Sequence, residues 1–220
     1  MGPVRMAHSL TEMSADAFAA TVDVSRETLE RLEIYAALLE KWQGSINLVG
    51  ADSLRDIWRR HMLDSAQLAA HIPRGAPVIT DLGSGAGFPG LVLSIILDRP
   101  VRLVEASGKK AAFLREAVRL TQAPAIVHHG RIERAEAWSS EIVVARALAP
   151  LTLLLDYAEP FLRNAGKDAT CIFLKGGRAA EELTEASKCW TMTAERFPSA
   201  SDPTGTILRI RDIVRDGHTG

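Results

Sequence analysis

At 220 residues, with 47% hydrophobic and 24% charged residues, the chain has the make-up of one ordinary soluble globule. A net charge of −1 and a pI near 6.6 argue against a general nucleic-acid binder, and no apolar run approaches the roughly 18 residues of a membrane span. Two cysteines, Cys171 and Cys189, are too few for a disulfide framework or a zinc site. Met1 to Met13 shows no signal peptide, and position 6 is Met where myristoylation needs Ser or Thr, so the cytoplasm is the expected compartment.

The first 23 residues lack periodicity and are expected to fray. From Ser25, the positions Leu29, Leu32, Ala36, Leu39 and Trp42 recur at helical spacing until Gly44. Asn47 to Gly50 forms a connector. A second helix is predicted from a cap at Asp52 through Ile57, His61, Asp64 and Leu68 to Ile72, where Pro73 stops it.

Val78 to Gly90 carries the most information. An apolar β-branched run ends at Asp81, a loop holds Gly83, Gly85, Gly87 and Gly90, and the apolar stretch Leu91 to Leu97 follows. That order is strand, tight turn, helix, with Pro89 suited to the first helical turn. A ligand there sits at the carboxyl end of a parallel strand, against a helix N-terminus. Gly85, Gly87 and Gly90 satisfy G-x-G-x-x-G, the dinucleotide fingerprint. From Asp81 the same loop is D-x-G-x-G-x-G, which resembles the first motif of S-adenosylmethionine-dependent methyltransferases. Asp81 favours the second reading: a carboxylate repels a pyrophosphate but attracts an ammonium or a sulfonium.

Beyond the loop, strands are predicted at 77–81, 101–105, 125–128, 141–145 and 169–174, and helices at 89–98, 108–121, 150–163 and 178–187. The alternation implies a parallel sheet with helices on both faces. Residues 189–197 and 205–212 follow with no helix between them, giving a terminal antiparallel hairpin. The expected fold is α/β: a seven-stranded mixed sheet of the class I methyltransferase, Rossmann-like kind. Residues 1–75 are expected as an N-terminal helical extension packed on a 76–215 cofactor-binding domain. Cys171, inside an apolar strand, is expected to be a buried thiol.

Glu105 ends the second strand, about twenty residues past the loop, where a carboxylate can accept both ribose hydroxyls of an adenosine. It fits either cofactor. Between Arg99 and Arg134 there are eight Lys or Arg against three Glu, a local net charge of +5 that makes either a basic face or a solvated helix surface. His128 and His129 are adjacent on a strand and point to opposite faces, so they do not share a metal. His61 and Asp64, three apart on a helix, are expected to support a pocket edge and not a metal.

Further segments sit in a recognisable order: Trp42, Asn47-Leu48, His61-Met62-Leu63-Asp64-Ser65, Glu105 to Lys110, Phe113-Leu114-Arg115, Gly130-Arg131-Ile132-Glu133, Ala145-Arg146-Ala147 and Leu174-Lys175-Gly176. From about Leu29 to Arg211 the chain resembles the bacterial small-subunit ribosomal RNA guanine-N7 methyltransferases, also called the glucose-inhibited division protein B family. One departure is Gln43 after Trp42, where the family pattern has Asn. The resemblance implies S-adenosylmethionine as cofactor. It implies 16S ribosomal RNA as substrate, in the small subunit or its precursor, and guanine 527 near the decoding centre as target. It assigns Gly83, Gly85, Phe88, Glu105, Ile132, Glu133 and Arg146 to the cofactor. Arg131 and Lys175 go to the positioning of RNA. Arg146 could equally take an RNA phosphate. Two rivals stay open: an NAD(P)-linked oxidoreductase, on the strength of G-x-G-x-x-G, and a non-catalytic RNA-binding assembly factor.

Overall fold

A computed structural model describes residues 12–75, 78–136 and 138–217. Seven strands form one sheet in the order β3-β2-β1-β4-β5-β7-β6. They are β1 (Ile79–Leu82), β2 (Val101–Glu105), β3 (Ala125–His129), β4 (Ile142–Arg146), β5 (Thr170–Lys175), β6 (Trp190–Pro198) and β7 (Thr206–Arg215). The first five pair in parallel, and β7 runs antiparallel to both β5 and β6. The order reverses between β1 and the β2 and β4 on either side of it, so their carboxyl ends frame a crevice.

Helices α1 (Ala15–Val22), α2 (Arg26–Gln43), α5 (Gly90–Leu97) and α6 (Gly108–Thr121) share a core with Ile79, Leu103, Val144 and Ile172. Helices α7 (Leu151–Leu162) and α8 (Ala179–Ala186) cover the opposite face, over Leu82, Val143, Cys171 and Phe173. Cys171 is fully buried, and burial pushes its thiol up out of the reactive range; Cys189 is exposed. No described helix is long and apolar enough to cross a membrane.

The N-terminal region departs from the sequence expectation twice. Residues 12–23 do not fray. Ser14 caps α1 by accepting from the Ala17 N–H at 3.1 Å, and Phe18 is fully buried beside Trp58, ring centroids 5.3 Å apart. Burial of one such ring stabilises by about 1.5–3 kcal/mol, enough to hold a short helix whose alanines give no periodic signal. Residues 1–11 lie outside the described region. The single helix expected from 52 to 72 is instead four short pieces: α3 (Ala51–Leu54), a π-helical segment Trp58–Leu63, α4 (Asp64–Ala66) and a 3₁₀ segment Gln67–His71. Its N-cap is Gly50, not Asp52. The wide π turn brings His61, Met62 and Leu63 inward together, which a regular helix would spread around its axis. Gln43 fastens the connector before it, accepting from Leu48 N and Val49 N and donating to Val49 O and to Asn47 Oδ1.

Candidate functional site

The glycine loop leaves β1 at the centre of the sheet. Gly85 has φ 58°, and a Cβ there would meet only the Gly83 carbonyl oxygen at 3.8 Å. Its glycine is needed for the left-handed turn, not for space. Gly90 is the reverse case: a Cβ would fall 2.6 Å from the Asp81 carboxylate. Asp81 is fully buried and turned beneath the loop, where Oδ2 accepts the Gly90 N–H at 3.1 Å; Oδ1 has no partner. Burial raises its pKa to about 7, against the Ser84 and Gly90 hydrogen bonds that lower it. It therefore braces the start of α5 from below instead of facing open crevice.

Glu105 holds the loop from the side. Its Oε2 accepts from Gly85 N at 2.8 Å and its Oε1 from Ser107 N at 2.6 Å. Tyr35, fully buried on α2, hydrogen-bonds the Ala86 carbonyl, so the N-terminal region props the same loop.

Above the loop lies a cavity of about 350 Å³ whose wall includes Gly83, Gly85, Glu105, Arg131, Ile132 and Glu133. Five of the seven residues expected at a cofactor are thus brought together. Tyr157, which no sequence pattern singled out, adds its hydroxyl to Glu133 Oε1 at 3.1 Å. The Glu133 carboxyl is held below its usual range, first by its own backbone N–H and then by Tyr157.

Phe88 and Arg146 stand elsewhere. Phe88 is buried between Tyr35 and His61, ring centroids 5.3 and 4.7 Å away. Arg146, at the end of β4, is engaged on several sides: NH1 donates to Asp64 Oδ2 at 3.1 Å and to Arg60 O at 3.0 Å, NH2 reaches His61 Nδ1 at 2.8 Å, and the guanidinium lies 5.0 Å from the Phe88 ring centre. Burial, then the charges of Arg146 and Arg60, lower the His61 pKa to about 3, so the ring is a neutral acceptor for Arg146. Its Nε2 meets Ser53 Oγ at 2.9 Å. His61 and Asp64 do not bond each other; both hold the same arginine.

Arg146 and Asp64 belong to a second cavity, of about 490 Å³, at the carboxyl ends of β4 and β5. Lys175 lines it as well, donating to the Ala149 carbonyl at 2.9 Å and pairing with Glu182 at 2.6 Å. Arg131 and Lys175 therefore sit in different cavities. The loop between β6 and β7 closes the second one: Ser201 donates to Asp64 Oδ1 at 2.6 Å, and Gln67 bonds Ser199 and the Ala200 N–H. Ala147 and Leu148 line both cavities, and Ala147 has the strained φ of 50°. The two spaces meet across that pair.

Residues 28–205 match the family described as rRNA small subunit methyltransferase G. The chain is 57% identical over 203 residues to Ribosomal RNA small subunit methyltransferase G of Rhodospirillum rubrum, covering 92% of this chain and 100% of that one. It is 49% identical over 207 residues to the protein of the same name from Parvibaculum lavamentivorans, with 91% and 90% covered. In fold it is similar to an O-methyltransferase from Bacillus cereus solved with SAH, with TM-score 0.54 at 14% identity and 90% and 100% of the chains covered. It is also similar to M. jannaschii TYW2 in complex with AdoMet, with TM-score 0.53 at 15% identity and 78% and 80% covered. The architecture is that of the class I methyltransferases.

Proposed function

The chain belongs to the rRNA small subunit methyltransferase G family, and from that premise we propose that it transfers a methyl group from S-adenosylmethionine to N7 of a guanine in 16S ribosomal RNA. The target on this reading is guanine 527 near the decoding centre, met in the cytoplasm within the small subunit or its precursor. The observation that carries the reading is the meeting of two cavities across Ala147 and Leu148, one lined by five of the residues expected at the cofactor and one open beside it.

The first cavity fits the cofactor. Its volume falls within the range of small-ligand sites. Glu105 keeps free lone pairs for the ribose hydroxyls, Ile132 offers an apolar side chain to the adenine face, and Glu133 stands beside it for the exocyclic amine. Arg146, on the wall of the second cavity, supplies positive charge there for an RNA phosphate. When bound, the cofactor contributes an electrophilic methyl group on a sulfonium. Guanine N7 has a lone pair and no proton, so no side chain has to act as a base. The residues of the second cavity instead align the base, and alignment is where the rate comes from. Lys175, fixed by Glu182 and the Ala149 carbonyl, gives that cavity a positioned cation for the base edge or its phosphate.

The test is transfer of tritiated methyl to small subunits lacking the modification, with mapping of the labelled base. Label at N7 of guanine 527 is the expected result. Calorimetry should show S-adenosylmethionine binding and none of NAD. RNA binding without transfer would make the protein an assembly factor, and NAD binding would make it an oxidoreductase.

A further inference from the structure

A third cavity, of about 780 Å³, opens at the β3 edge of the sheet, separated from the cofactor cavity by the Gly130–Arg134 turn. On this face α7 covers β4, and Trp138 packs against His128 of β3. Trp138 is anchored by its Nε1–H to Thr80 Oγ1 at 2.8 Å; His128 lies 4.2 Å from its ring centre and the Arg102 guanidinium 4.6 Å. Arg115 and Arg134 reach the same space from α6 and from the turn, and Glu136 is the one carboxylate on its wall among the described residues.

The positive charges here outnumber the negative. Among the described residues, none of Arg102, Arg115, Arg134 and Glu136 takes part in an ion pair. Arg119, one turn along α6 from Arg115, is by contrast locked on Glu116 by two hydrogen bonds. Holding three guanidinium groups around one cavity against a single carboxylate costs repulsion, which an anionic ligand relieves. His128 lines the cavity as well, its Nε2 turned inward, closed to solvent and without a partner. Burial and then Arg102 lower the His128 pKa, so the ring adds no positive charge of its own beside the guanidinium.

We propose that this cavity is a second RNA site, in which Arg102, Arg115 and Arg134 hold a backbone phosphate of the substrate RNA. The guanidinium groups match phosphate oxygens in charge and in hydrogen-bond geometry. Arg131 and Lys110, on the rim of the cofactor cavity, continue the basic surface toward the reaction centre. The inference rests on the reading of the substrate as ribosomal RNA. It adds a point of RNA attachment outside both the donor and the acceptor cavities.

The test uses Arg115→Gln, Arg134→Gln and the double variant of the full chain, with Lys167→Gln as a control cation outside the cavity. Arg115 and Arg134 are exposed and make no ion pair, so thermal midpoint and S-adenosylmethionine affinity should match those of the parent protein. Binding to unmodified small subunits should weaken about tenfold or more in the double variant. The slope of log affinity against log salt should become shallower by about one unit for each phosphate no longer neutralised. KM for subunits should rise while kcat holds, and Lys167→Gln should change nothing. Unchanged salt slope and KM in the double variant overturns the proposal, and so does a parallel loss of cofactor affinity, which would mean a disturbed turn. Inorganic phosphate that perturbs His128 in NMR spectra while the variants bind RNA normally would reassign the cavity to a free anion. Because binding is measured without turnover, failure of methyl transfer in the parent protein would reject the proposed function separately.

Discussion

Asp81 and Glu105 show how two carboxylates at one loop take different roles. Asp81 is sealed from solvent and accepts from a single backbone N–H, so its pKa of about 7 lies above the 3.8 of an ordinary aspartate. The folded protein keeps a proton that the unfolded chain gives up. That contribution to stability is complete below about pH 4 and is lost as the pH rises through about 7. Asp81→Asn removes the dependence. Denaturation midpoints of the variant, relative to the parent, should improve between about pH 5 and pH 8, and a constant difference would show that Asp81 does not titrate there. Glu105 braces two backbone N–H groups, at Gly85 and Ser107. Glu105→Ala should weaken S-adenosylmethionine binding by on the order of 1.5–3 kcal/mol for each charge-assisted bond removed. Glu105→Gln, whose amide oxygen can still accept from Gly85, should recover part of it. Parent-like affinity in the alanine variant would place the ribose elsewhere.

At the scale of elements, the π-helical segment and α4 act on chemistry they do not contain. They deliver His61 and Asp64 to Arg146, and the Asp64–Arg146 pair is mostly buried, with side chains 16% and 17% exposed. Asp64→Asn should release the guanidinium and lower kcat by about tenfold or more, since misalignment at the reacting centre is costly. Cofactor affinity should stay within about twofold, and a normal kcat would mean Arg146 needs no anchor. This part of the site was hard to see in the sequence. The spacing of His61 and Asp64 suggests two residues bonding each other on one helix, whereas the π turn aims both at a strand end 82 residues away or more. The sheet itself was plain. Helix α6 runs over Gly108–Thr121, as its amphipathic pattern predicts, and the strands fall within a few residues of their apolar runs. Those elements are set by periodic burial, which sequence displays. Helix α1 is set by one phenylalanine meeting a distant tryptophan, and the Tyr157–Glu133 hydrogen bond by the docking of α7, neither of which leaves a local mark.

For the molecule as a whole, the N-terminal region and the sheet share one core, and Tyr35 extends that coupling to the glycine loop. Tyr35→Phe should cost about 1–3 kcal/mol of stability, because the buried Ala86 carbonyl loses its donor. It should also weaken the cofactor more than an equally destabilising change on the α8 side, such as Trp190→Phe; equal effects would separate the loop from the N-terminal region. The second cavity joins still more distant parts of the chain. Gln67 and Asp64 meet Ser199 and Ser201 across 132 and 137 residues. During synthesis, an emerging chain presents the glycine loop and Glu105 long before it presents residues 199–201. The cavity over the glycine loop can be assembled from the first five strands, but the wall that closes the second cavity does not exist until the final hairpin starts to form. On the proposed reading, the order of the chain therefore leaves a nascent copy without a closed site for the target base until residues 199–201 have left the ribosome that is making it.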